Sequence, residues 1–174
     1  GIYIVDAAER GIVLRFGKYL ETTQPGLHWR IPYPIDSVKH VNVKEVKNQE
    51  IGFSAAESNL HESLMLTRDE NIIDIKISVQ YRVLEPQKYL FKVRDPDATL
   101  KEITESALRE IVGKSTMTFV ITDGREEVQR KVNELSQSLL DRYETGLVIT
   151  SVNIQNAQPP DQVQAAFADA VKAR

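Results

Sequence analysis

The sequence predicts an α+β fold, with a strand-rich N-terminal part, a mixed α/β part and the beginning of a long C-terminal helix. Three observations predict it. Between Ile72 and Val83 the chain alternates: Ile73, Ile75, Ile77, Val79, Tyr81 and Val83 share one face, while Asp74, Lys76, Ser78, Gln80 and Arg82 share the other. Successive strand side chains point to opposite sides, so this is a strand with one dry and one wet face. Two long segments, 95–113 and 123–143, carry apolar residues at helical spacing instead. The first sixty-odd residues break into short β-type runs punctuated by glycine and proline. The expected boundaries are 1–66 for the strand-rich subdomain, 67–157 for the mixed one and 158–174 for the helix start.

Each element has its own reason. Ile2 to Val5 and Ile12 to Phe16 are β-type runs separated by a turn at Ala7–Gly11. Gly17 marks the next turn and Pro25-Gly26 another. Leu27 to Ile31 is a further strand candidate, and Pro32 and Pro34 confine their stretch to a loop or edge. Val38, Val41 and Val43 continue the β character, and residues 52–63 read as a polar loop. Arg68-Asp69-Glu70-Asn71 is a hairpin turn feeding the long strand, which Pro86 stops because proline cannot donate to a ladder. Gln87 to Val93 is a short helix. Asp95-Pro96-Asp97 opens a longer one, with proline and carboxylates in the first turn, and Gly113 closes it. A short apolar turn, Met117 to Ile121, precedes the helix from Asp123 to Tyr143, where Asp123 and Glu126 fit a capping box. Leu147 to Gln155 alternates as the last strand, and Pro159-Pro160-Asp161 starts the terminal helix.

The bulk numbers exclude several function classes. With 174 residues, 41% hydrophobic and 27% charged, the chain is ordinary globular material. Its 22 basic and 25 acidic residues are interspersed and sum to −3, which disfavours nucleic acid. The absence of cysteine removes disulfides, thiolate nucleophiles and Cys-ligated metals. No apolar run reaches the roughly 20 residues of a spanning helix. The chain opens in a strand and stops inside a helical pattern, so it reads as a domain excised from a longer protein.

Catalytic chemistry finds little footing. The best nucleophile set would be Ser54, Ser58 or Ser63 with His61 and Asp69, but no Gly-x-Ser-x-Gly frame surrounds them. His28, His40 and His61 are scattered without ligand spacing, and the crowd of Asp69, Glu70 and Asp74 lacks the rest of a calcium loop. No catalytic, cofactor or metal site is expected.

Two features point to function. Residues 27–35, LHWRIPYPI, hold the only Trp; Leu27, Trp29 and Tyr33 are membrane-interface candidates, because such rings are apolar at one end and hydrated at the other. The competing reading packs Trp29 into a small β core. The second is the stripe of Val163, Phe167, Ala170 and Val171 in the C-terminal helix, which suits pairing with a partner helix. It spans little more than two heptads, so this chain by itself is expected to be monomeric or weakly associated.

Ordered pieces across nearly the whole chain resemble the band 7 or SPFH family (stomatin, prohibitin, flotillin, HflK/C). They are Glu9-Arg10-Gly11, Arg15-Phe16-Gly17-Lys18, Pro25 to Trp29, Pro34-Ile35-Asp36, the run from Glu62 to Val93, Glu105 to Glu110, Gly124-Arg125 and Pro159-Pro160 with Val163 and Phe167. The likeness is greatest to the HflK branch. The resemblance implies a non-catalytic domain on the periplasmic side of the bacterial inner membrane, held by a single-pass anchor. It also implies partners: an HflC-like paralogue, with which it builds a hetero-oligomeric ring or cage, an FtsH-like membrane protease that this assembly regulates, and membrane lipid. The alternatives are a lipid-organising scaffold of the stomatin or flotillin type and, more remotely, a serine hydrolase.

Overall fold

The computed structural model describes residues 1–56 and 64–160. Among the described residues, eight strands form three antiparallel sheets: β1 (Ile2–Val5), β2 (Glu9–Arg15), β3 (Lys18–Thr23), β4 (Gly26–Trp29), β5 (Asp36–Asn42), β6 (Lys47–Phe53), β7 (Asp74–Val83) and β8 (Leu147–Gln158). β1 pairs with β4, β2 lies between β3 and β5, and β7 lies between β6 and β8. The helices α1 (Pro86–Phe91), α2 (Pro96–Gly113) and α3 (Arg125–Arg142) all fall between β7 and β8 in sequence. The α+β class expected from the sequence is the class found.

The alternating strand is the centre of the molecule. Ile75, Ile77, Val79, Tyr81 and Val83 of β7 are buried, and the register sets Ile77 directly between Ile51 of β6 and Ile154 of β8. That face meets Leu100, Ile103, Ala107 and Leu108 of α2 and Val128, Val132 and Leu140 of α3 in one core. The helix stripes therefore bury against the strand stripe, each at its own period. At the start of α2, Asp95 accepts from the Ala98 N–H at 3.1 Å, and Pro96 comes next, at a position whose N–H would have no partner. The turn before β7 closes through Thr67, whose hydroxyl donates to Asp69 at 2.6 Å and accepts from the Asn71 N–H at 3.1 Å.

Three local expectations are corrected. Glu9 to Gly11 is not a turn but the start of β2; a Cβ on Gly11 would fall 2.4 Å from Thr23 Oγ1, so the glycine serves close packing inside the sheet. β3 and β6 arise where no strand is expected, and β6 takes in Gly52 and Phe53, placed in the polar loop by sequence. β6 is hydrogen-bonded to β7, so the sheet pairing changes between Asn42 and Lys47. Finally, no capping box forms at α3: Phe119–Asp123 is a turn of π-helix, and Gly124 occupies the cap position without a side-chain bond. The Phe119 ring lies where a Cβ at 124 would stand, 2.1 Å away, which ties the turn to a glycine at the cap. Residues 57–63 and the oligomerisation candidates Val163, Phe167, Ala170 and Val171 lie outside the described residues.

One polar cluster fastens β6 and β7 to α1 and α2. The phenols of Tyr81 and Tyr89 each donate to Asp97 at 2.7 Å, and Lys47 Nζ reaches the Tyr89 oxygen at 2.8 Å and Asp97 at 3.3 Å. Burial, then the bond to Asp97, pushes the Tyr81 phenol well above its ordinary range, and Tyr89 shifts the same way. Burial alone would raise the Asp97 carboxyl, but the two phenols and Lys47 hold it low. A group whose pKa is raised on folding stabilises fully below its unfolded value, about 10 for tyrosine, and loses that contribution as pH climbs toward the folded value. Folding stability is therefore expected to fall from about pH 10 upward, with the Tyr81→Phe variant showing a shallower decline in denaturant titrations. Identical slopes for the two proteins would contradict the assignment.

Candidate functional site: an apolar face on the two-stranded sheet

β1 and β4 are far apart in sequence and antiparallel in space, with Ile2 opposite Trp29, Tyr3 opposite His28, Ile4 opposite Leu27 and Val5 opposite Gly26. Residues directly opposed across an antiparallel pair share a face, and alternate positions share it too. Ile2, Ile4, Leu27 and Trp29 therefore form one apolar surface, and it points outward: their exposures are 72, 66, 67 and 67%. Scattered exposed apolar residues need no explanation, but four contiguous ones do.

The other face of this small sheet holds it to the body. Val5 is buried, and the Tyr3 hydroxyl lies 3.3 Å from Thr23 Oγ1. The Tyr3 ring stacks on His28 at 5.6 Å and meets His40 edge-on at 6.4 Å. A two-stranded sheet is marginal alone, so this anchorage is what fixes the apolar surface in place.

The loop after β4 is tied to one buried carboxylate. Asp36 accepts from Arg15 Nε at 2.9 Å, from the second Arg15 nitrogen at 3.2 Å and from the Ile31 N–H at 3.1 Å. Arg30 in turn donates to the Asp36 carbonyl at 2.6 Å. The Arg15 guanidinium hydrogen-bonded to it holds the Asp36 carboxyl below the usual carboxylate range. Tyr33 sits in this braced loop, 79% exposed.

The structure thus brings Leu27 and Trp29 together, sets Tyr33 in the adjoining loop, and leaves Trp29 out of the core. It adds Ile2 and Ile4, which sequence reading missed. The signal that could have found them is the matched alternation of IYIV and GLHW, two short runs able to pair. Of the hydrolase candidates, Asp69 is occupied in the turn, accepting from Thr67 and from the Met117 N–H at 3.2 Å. Ser54 lies just beyond β6, while Ser58, Ser63 and His61 lie outside the described residues. Among the described residues no three His, Asp or Glu side chains gather as a metal site, and no helix is long and apolar enough to cross a membrane.

The SPFH domain / Band 7 family matches residues 3–174. Among curated proteins, the chain is 42% identical over 174 residues to the Modulator of FtsH protease HflK of Escherichia coli (strain K12), covering 100% of this chain and 39% of that protein. It is 42% identical to Protein HflK of Vibrio cholerae, covering 100% of the chain and 41% of the relative. Protein HflK of Treponema pallidum is 35% identical over 179 residues, covering 97% and 54%. The chain spans about two fifths of the length of the first two relatives. With a family match running from Tyr3 to the last residue, the chain belongs to the SPFH domain / Band 7 family.

Proposed function

We propose that this chain is the SPFH part of a non-catalytic, membrane-anchored scaffold that regulates an FtsH-type membrane protease from the periplasmic side of a bacterial inner membrane. The observation that carries the reading is 42% identity, over every residue of the chain, to a protein named for modulating FtsH. In this reading the strand-rich part faces the bilayer. The mixed part and the segment bearing Val163, Phe167, Ala170 and Val171 assemble with an HflC-like paralogue into a ring or cage. Affinity capture of the full-length protein from detergent-solubilised membranes tests it directly. Co-purification of an FtsH-type protease and an HflC-like paralogue is expected; lipid and other scaffold proteins without a protease would move the reading to a stomatin-like organiser.

The outward surface of Ile2, Ile4, Leu27 and Trp29 supports the bilayer contact. Apolar transfer is worth about 25 cal/mol per Å², so one copy binds weakly, and repetition around an anchored ring makes many weak contacts effective together. Because Trp29 is the only tryptophan, its fluorescence reports this surface alone. The exposed ring should emit at long wavelength and be open to aqueous quenchers in buffer. On vesicles, with the protein tethered, emission is expected to move to the blue and quenching to fall, and the Ile4→Ser variant to weaken both changes. Unchanged emission on vesicles would remove the bilayer from this reading.

A further inference from the structure

Where the β2 sheet meets the β7 sheet, a cavity of about 460 Å³ is lined by Arg10, Val43, Lys44, Val46, Arg82 and Thr150. Its three charged residues are all cations, and they come from separate places: Arg10 from β2, Lys44 from the β5–β6 connection and Arg82 from β7. No carboxylate lines it, although the chain as a whole is acidic. Among the described residues none of the three cations belongs to an ion pair. Glu9, next to Arg10, lies 3.9 Å from His40, and Glu45, next to Lys44, is exposed and does not line the cavity.

Both guanidiniums are steered by backbone. Arg10 donates from one terminal nitrogen to the Glu9 carbonyl at 2.7 Å and, at longer range, to that of Ala7. Arg82 donates from one terminal nitrogen to the Val43 carbonyl at 3.3 Å. A guanidinium carries five N–H donors, so each arginine keeps most of its donors for another acceptor while its orientation is already set. Like charges collected around one cavity repel each other, and Val43 and Val46 supply apolar surface beside them. A planar carboxylate is satisfied by one guanidinium fork. Three cations from three elements instead suit an oxyanion with several charges and oxygens pointing in different directions.

We propose that this junction is a binding site for a phosphate group, with Arg10, Lys44 and Arg82 as its cationic ligands. The phosphate is either that of a phospholipid headgroup or that of a soluble phosphate compound, and the cavity leaves room for more than a bare phosphate. The site is separate from the apolar face, and its test is independent of any protease.

Inorganic pyrophosphate, titrated at constant ionic strength and followed by amide resonances of Val43, Arg82 and Thr150, is the first probe. Saturable shifts are expected, with affinity lowered about tenfold or more in the Lys44→Gln/Arg82→Gln protein. Lys44→Gln alone changes an exposed side chain with no bond to lose, and it should weaken binding in the same direction without altering thermal stability. The second arm is co-sedimentation with phosphatidylcholine vesicles, with and without phosphatidylglycerol. Sedimentation that requires phosphatidylglycerol, is abolished by the substitutions and is competed away by pyrophosphate assigns the headgroup. Saturable pyrophosphate binding beside vesicle behaviour indifferent to the substitutions assigns a soluble phosphate. Shifts that rise linearly without saturation, or equal affinity in all variants, would overturn the site.

Discussion

The Gly146→Ala protein is expected to lose about 3 kcal/mol of folding stability, which for a chain of this length lowers the melting temperature by on the order of 10 °C. Gly146 joins α3 to β8 with φ +74, a left-handed conformation that a Cβ disfavours. Steric conflict adds to this. A Cβ there would stand 2.4 Å from the Glu85 carbonyl oxygen and 2.7 Å from the Tyr89 nitrogen, both backbone atoms that cannot swing aside. The Gly146 carbonyl also accepts from the Leu84 N–H at 2.8 Å and the Glu85 N–H at 3.0 Å, so any shift of this residue breaks the junction of β7 with α1. Gly52→Ala is the matched control. Its Cβ would come no nearer than 3.8 Å to a Lys76 side-chain atom at an ordinary φ, and the change should be neutral or slightly stabilising. Thermal melts in which the two variants behave alike would sink this account of Gly146.

Ile77→Ala is expected to cost about 4 kcal/mol, measured by urea unfolding. Ile77 is fully buried on the central strand, flanked in register by Ile51 and Ile154 and faced by the helices. Truncation removes three carbons from water-free surroundings and leaves a cavity between strands held by their ladders, so the walls cannot collapse to fill it. Ile77→Val keeps most of the volume and should cost roughly 1 kcal/mol. A loss below about 1 kcal/mol for the alanine protein would show that the sheet and helices do not press on one another as described.

Local pattern carried the long elements and failed where pairing is distant or packing is one-sided. β7 was legible because apolar and polar residues alternate without interruption from Ile73 to Val83, and α2 because Asp95 and Pro96 announce its first turn. β6 escaped because only one of its seven residues is buried, so Lys47–Phe53 reads as polar chain; its strand conformation comes from the ladder with β7. β3 is another exposed edge and escaped for the same reason. At α3 a capping pattern was present, yet the π-helical turn and the Phe119 ring put Gly124 in the cap, a tertiary choice overriding a local one. Half of the candidate face was legible from Leu27 and Trp29. Ile2 and Ile4 join it only through the β1–β4 register, and Arg10, Lys44 and Arg82 meet only because two sheets abut.

The placement of α1, α2 and α3 between β7 and β8 also bears on how the chain reaches its native state. Val83 pairs with Leu147, so the tightest contact of that ladder closes a loop of about 60 residues, an entropic cost of roughly 3–4 kcal/mol before the first hydrogen bond between those strands forms. Packing α2 and α3 against each other shortens that loop in effect. Early packing of the helical pair therefore favours the zipping of β8 onto β7, and until that ladder forms the central strand keeps one edge unsatisfied. Non-local closure of this kind slows folding relative to locally connected folds and prolongs the life of an open strand edge. The alternating strand that dominates the native core is, on the way there, the segment most at risk of pairing with the wrong chain.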